Sequence, residues 1–258
     1  MPRSTTLLCV GVSGLVFAVS AAATIYFCRS MAGGMEMPGG WTMSMMWMRM
    51  PGQTWLASAG MFLLMWLAMM VAMMLPSALP MLLDSRHAVR TEREGAPGWA
   101  MAMAAIGYFL VWMTIGGVVY IAGVGFAFAT MQWPAFSRAV PLLSGAALIL
   151  AGCFQFTGWK MAGLRHCRGP LTCAREHIRS QQSSAWHYGL SQGAACAVCC
   201  SSSMLALLAL GAMKLTVMVL VAVVIAMEKL APKPELIARS AGVAALATGA
   251  MMLTRFLP

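Results

Sequence analysis

Charge is what this sequence has least of. Lys, Arg, Asp and Glu make up only 9% of its 258 residues, whereas a soluble domain averages about 25%. A water-facing surface cannot be built from so few charges, which excludes a soluble globular fold. Hydrophobic residues make up 60% of the chain, which also excludes intrinsic disorder. Acidic residues are scarcest, seven against 17 basic ones, so few carboxylates are available to drive uphill transport. Catalytic signatures are missing as well: there is no P-loop, Rossmann fingerprint, nucleophile elbow, His-Glu-x-x-His or kinase motif. No internal repeat is present. What remains is an all-α, polytopic transmembrane helical bundle, one membrane domain over residues 1–258. It is rich in soft donors, with 27 Met, eight Cys and four His.

Charge-free stretches mark the spans, since about 20 apolar residues cross a bilayer. Thr6–Cys28, Thr54–Leu83, Trp99–Ser137, Ala139–Trp159, His187–Met213, Leu215–Met227 and Leu236–Leu257 predict seven helices. Six result if the Cys-rich start of the fifth is re-entrant. The long third stretch needs a break near Gln132-Trp133-Pro134. Thr6–Cys28 is too long for a signal-peptide core and reads as a retained helix. With the N-terminus inside, twelve Lys/Arg fall on the inner side and five on the outer. The positive-inside rule then predicts a multi-pass protein of the bacterial inner membrane, N-terminus cytoplasmic and C-terminus periplasmic. It also explains the +10 net charge as topology, so no nucleic-acid partner is expected. Trp66 and Trp112 fall within spans and read as packing residues.

Soft ligands collect in three places. The predicted periplasmic loop, residues 29–53, holds eight Met between Met31 and Met50. Its glycines and proline predict a mobile segment. Met43, Met45, Met46, Met48 and Met50 lie at Met-x-Met spacings that let neighbouring sulfurs converge. Thioether sulfur is a soft, neutral donor that suits Cu(I) and neglects Mg²⁺ or Ca²⁺. A loop in the lipid interface or docked on a partner is the bland alternative. Helix two carries Met61, Met65, Met69, Met70, Met73 and Met74 at four-residue steps, one broad stripe. As ligands, Met69, Met70, Met73 and Met74 would form a metal path; as filler they would simply pack. Pro76 and Pro80 should kink or end this helix. Cys196, Cys199 and Cys200 stand at i, i+3 and i+4, on one face of helix five. Three thiols there suit Cu(I), with zinc a second choice, although small residues for close helix contact are the plain alternative.

The predicted basic cytoplasmic loop, residues 160–186, adds His166, Cys167, Cys173 and His177. Nearby cations favour thiolates there, but the spacing matches no standard zinc finger. Glu228 and Lys229 read as a plain interfacial ion pair. Gly116, Gly117, Gly123 and Gly125 read as sites of close helix contact.

Four blocks carry a family resemblance: Met69-Met70-Val-Ala-Met73-Met74-Leu-Pro76; Gln155 to Lys160 leading into Cys167-Arg168-Gly-Pro170; Cys196-Ala-Val-Cys199-Cys200; and Glu228-Lys229-Leu230. The chain resembles a bacterial family of predicted metal-binding integral membrane proteins, some members of which carry the label copper chaperone. The resemblance implies a family core over residues 54–230. Two departures stand out. Gly163-Leu164-Arg165-His166-Cys167-Arg168 has one thiol fewer than the family's Cys-Leu-x-x-Cys-Arg, and Gln192 replaces a family His four residues before Cys196.

These observations point to a membrane protein that binds and handles a soft metal, foremost Cu(I), as a transporter or a metallation factor. Its partners would be the bilayer and a membrane metalloenzyme or periplasmic copper protein. Two rivals remain open: a membrane thiol oxidoreductase using the cysteines, and a non-catalytic subunit of a membrane complex. Oligomeric state is not legible.

Overall fold

Proline and glycine place the breaks between helices in the computed structural model, which describes residues 3–31, 33–49, 52–92, 97–168 and 185–256. Helix α1 runs Arg3–Ser30. Strands β1 (Gly34–Met37) and β2 (Trp41–Ser44) form an antiparallel hairpin, followed by a 3-10 turn, Met45–Trp47. Helices α2 (Trp55–Glu92) and α3 (Pro97–Gln132) are the longest. Trp133 is extended and Pro134 opens α4 (Pro134–Gln155), at the break the sequence predicts. Proline suits that first helical position because its missing N–H would be unbonded anyway. A short α5 (Gly158–Arg168) precedes α6 (Ala185–Leu210). Gly211, at φ 104°, ends α6 with its N–H on the Leu207 carbonyl, a left-handed cap that glycine adopts without strain. Helices α7 (Leu215–Leu230) and α8 (Pro234–Phe256) complete the chain.

Among the described residues, six helices are long and apolar enough to cross a membrane: α1, α2, α3, α4, α6 and α8. The seventh expected span is the short helix α7, which returns the chain from the end of α6 to the start of α8. At 16 residues, α7 rises only about 24 Å, short of the ~30 Å hydrocarbon core. It packs against α2, α6 and α8. The Cys-rich helix α6 is a full-length helix rather than a re-entrant segment. Nor do Pro76 and Pro80 end α2, which continues to Glu92. A proline removes one helical hydrogen bond, and packing on neighbouring helices holds the rest of the ladder.

Helix pairings set the chain's path. Trp66 of α2 packs at Gly116 of α3, and Ser58 meets Tyr120, so α2 and α3 run antiparallel. Gly189 and Gly193 of α6 lie against Ala104 and Tyr108 of α3, which makes those two parallel. Gly145 and Gly152 of α4 face Gly249 and Gly242 of α8. A Cβ at any of the four would lie within 3.2 Å of a backbone oxygen or a Cβ opposite, so only glycine permits this spacing. One end of the bundle therefore carries the β-hairpin, and the other carries the α4–α5 junction. Large apolar side chains such as Leu56, Val118, Ile121 and Leu150 are exposed, as a lipid-facing surface requires.

The described part of the Met-rich segment is folded into the hairpin and the 3-10 turn. Pro141 inside α4 has no N–H, which frees the Ser137 carbonyl, and the Trp41 indole N–H donates to it at 2.9 Å. Ser137 Oγ donates back to the Pro38 carbonyl at 2.9 Å. Trp47 fills the notch left by Gly123 on α3. Of the glycines expected at helix contacts, Gly116 and Gly123 thus receive indole rings, while Gly117 and Gly125 face open space.

Candidate metal centre

Periodicity places Cys196, Cys199 and Cys200 on one face of α6, and tertiary packing closes that face off. All three are at most 1% exposed. Their sulfurs lie within 4.8 Å of one another, with Cys199–Cys200 at 3.5 Å and Cys196–Cys200 at 3.8 Å. A trigonal ion with metal–sulfur bonds of about 2.3 Å would hold its sulfurs roughly 4 Å apart. The three thiols therefore stand close to the spacing that such an ion needs. Among the described residues no fourth His, Cys, Asp or Glu joins the group. A three-sulfur set suits Cu(I), whereas structural zinc takes four ligands.

Two side chains from other helices converge on Cys196. The Tyr108 hydroxyl of α3 donates to Cys196 Sγ at 2.9 Å, and Lys229 Nζ of α7 does so at 2.9 Å. Lys229 also reaches Ser77 Oγ of α2 at 3.4 Å, and Ser77 donates to the Met74 carbonyl. The ammonium supplies a countercharge for a buried thiolate. A second network lies behind Cys199. Lys160 Nζ, fully buried, donates to the Cys199 carbonyl and pairs with Glu228 Oε2 at 2.7 Å. Gln155 Nε2 donates to the other carboxylate oxygen at 3.1 Å. Gly163 of α5 sits against Cys199, leaving room for α5 to cross α6.

Glu228 and Lys229 are therefore not an ion pair with each other. Neighbours on a helix point about 100° apart, so each serves a different network. Lys229, Lys160 and Tyr108 are the residues around the thiols that spacing alone misses. For the two lysines the available signal was charge inside apolar helices, which marks a candidate site by default.

The other sequence candidates separate. Met69, Met70, Met73 and Met74 are all buried, in the same core cluster as the cysteines. Helix α2 approaches the thiols through α7, since Lys229 lies between Ser77 and Cys196. Met204 on α6 joins the cluster, and so does Met218 on α7, whose sulfur lies 3.5 Å from the Cys28 thiol. Met43 turns away, packed with Met37 and Ala127, its sulfur 3.8 Å from Thr130 Oγ1. Met45, Met46 and Met48 line a cavity near the hairpin. His166 and Cys167 fall on α5, but their side chains, with Cys173, His177 and Met50, lie outside the described residues. Gln192, one turn before Cys196, is buried, and its Nε2 has no partner among the described residues.

No curated protein and no solved structure matches the chain. A family model described as PpoB2, copper chaperone, matches residues 63–252, from α2 into α8. The match takes in the thiol face, both buried lysines and Glu228, and extends beyond the blocks legible in the sequence into the last helix. On that coverage the chain belongs to the PpoB2 copper chaperone family.

Proposed function

We propose that this chain binds Cu(I) within the bacterial inner membrane at Cys196, Cys199 and Cys200 and hands it on to a metalloprotein. The observation that carries the reading is three buried thiols within 4.8 Å, one of which, Cys196, accepts a hydrogen bond from the Lys229 ammonium. Sulfur donors of this kind select Cu(I) over hard cations. The buried thioethers of α2, Met69, Met70, Met73 and Met74, would carry the ion along the bundle. The receiving partner would be a membrane metalloenzyme or a periplasmic copper protein. Handing over, rather than pumping, fits a chain without a nucleotide-binding motif. The cytoplasmic N-terminus and periplasmic hairpin belong to the same reading, through the twelve to five split of basic residues.

Elemental analysis of protein purified anaerobically under reducing conditions tests it. Copper should co-purify in the native chain and be absent from Cys196→Ser/Cys199→Ser/Cys200→Ser. Copper content untouched by the triple replacement would reject the thiol site. Zinc in place of copper would reject the assigned metal.

A further inference from the structure

The cavity beside the hairpin is lined by Met31, Met45, Met46, Met48, Met61 and Met65, with Phe62, Gln53 and Ser58. Its volume is about 120 Å³. The six methionines come from separate parts of the chain: the residue after α1, the 3-10 turn and its exit, and the first turns of α2. No carboxylate lines it, which leaves nothing for a hard cation. Met as mere filler would close such a gap. Here Met45 and Met48 are only half-buried and Met61 is exposed, around space that stays open.

We propose that this cavity is a second, thioether-only site for a soft monovalent cation, Cu(I) or Ag(I), separate from the thiols. The inference rests on the soft-metal reading above, but it names a different site. Five of its six methionines precede residue 63, outside the family match. Sixteen residues of α2 separate Met61 from Ser77 beside the cysteines, about 24 Å of helix. One ion cannot touch both sites. Thioethers are neutral and thiolates anionic, so the cavity binds the more weakly of the two. An ion taken up there is released in the direction of the stronger site. The 3-10 turn that follows the hairpin forms one wall of the cavity, which gives the hairpin's latch on Ser137 a purpose: it holds Met45, Met46 and Met48 opposite α2.

Silver nitrate titration of the full-length chain in detergent and chloride-free buffer tests the proposal. All eight cysteines are replaced by serine, so that thiolates no longer compete for the ion. One Ag⁺ should stay bound. It should be lost after Met45→Leu/Met46→Leu/Met48→Leu/Met61→Leu, and kept after Met43→Leu, because Met43 lies outside the cavity. Leucine conserves size and apolarity and removes only the sulfur. A cysteine-free chain that binds no Ag⁺, or one whose Ag⁺ survives the four replacements, overturns the cavity site. Either result leaves the thiol reading standing, since copper content of the triple serine variant decides that one. If the cysteine-free chain does not fold, the four leucines go into the native chain. There they should slow copper loading at low external copper without lowering the content at saturation. An unchanged rate overturns the proposal.

Discussion

Lys229 shows how much one buried charge can decide. Three thiolates around one Cu(I) leave two negative charges in an apolar bundle, and the Lys229 ammonium at 2.9 Å from Cys196 offsets one. A hydrogen bond to a charged group contributes about 1.5–3 kcal/mol, so Lys229→Met should weaken copper binding by about ten- to a hundredfold. Competition against a Cu(I) chelator measures this, and an unchanged constant would remove Lys229 from the site. Glu228 has a structural part instead. Glu228→Gln leaves Lys160 buried without its counterion, a change that costs about 3–5 kcal/mol. Thermal unfolding in detergent should show a clear drop in Tm, and Lys160→Met/Glu228→Leu should recover most of it by removing both charges.

Whole elements are positioned by absent side chains and by one free carbonyl. Gly189 lies so close to the Ala104 carbonyl that a side chain would collide with α3. Gly189→Val should push α3 from α6, carry Tyr108 off Cys196, and lower both Tm and bound copper. Gly117 faces open space, so Gly117→Ala should leave both unchanged or raise Tm slightly through better helix propensity. Equal behaviour of the two variants would contradict the packing described. For the hairpin, Trp41→Phe removes the donor to the carbonyl that Pro141 frees, a loss of about 1 kcal/mol. Hydrogen exchange in residues 34–47 should quicken while copper at the cysteines stays. No change in exchange would mean that the latch holds nothing.

Across the molecule, alternating helix directions put Arg3 and Phe256 at opposite ends of the bundle, the hairpin at the second end and the thiols toward the first. The positive-inside split of basic residues predicts that the first end faces the cytoplasm. In an otherwise cysteine-free background, Thr42→Cys should react with a membrane-impermeant maleimide in intact cells, and Arg165→Cys should react only after permeabilisation. The reverse pattern would invert the topology. Most of this architecture is legible in the chain, because lipid demands long uncharged helices and charge marks their ends. The short α7 stands apart: at 16 residues it is shorter than the six long apolar helices, yet it carries the chain from the end of α6 back to the start of α8.

The sequence by itself determines the helices, the break at Pro134 and the shared face of Cys196, Cys199 and Cys200, because each follows from local periodicity or local backbone chemistry. Only the tertiary structure decides which lysine meets which partner, since adjacent Glu228 and Lys229 point to different helices. It also decides which methionines gather. Met43 and Met45 are two residues apart, yet one packs against Ala127 and Thr130 and the other lines a cavity with Met31 and Met65. Met-x-Met spacing says that sulfurs are near one another along the chain. Whether they face one point depends on the hairpin, its latch on α4 and the indole seated at Gly123, which are contacts between residues far apart in sequence.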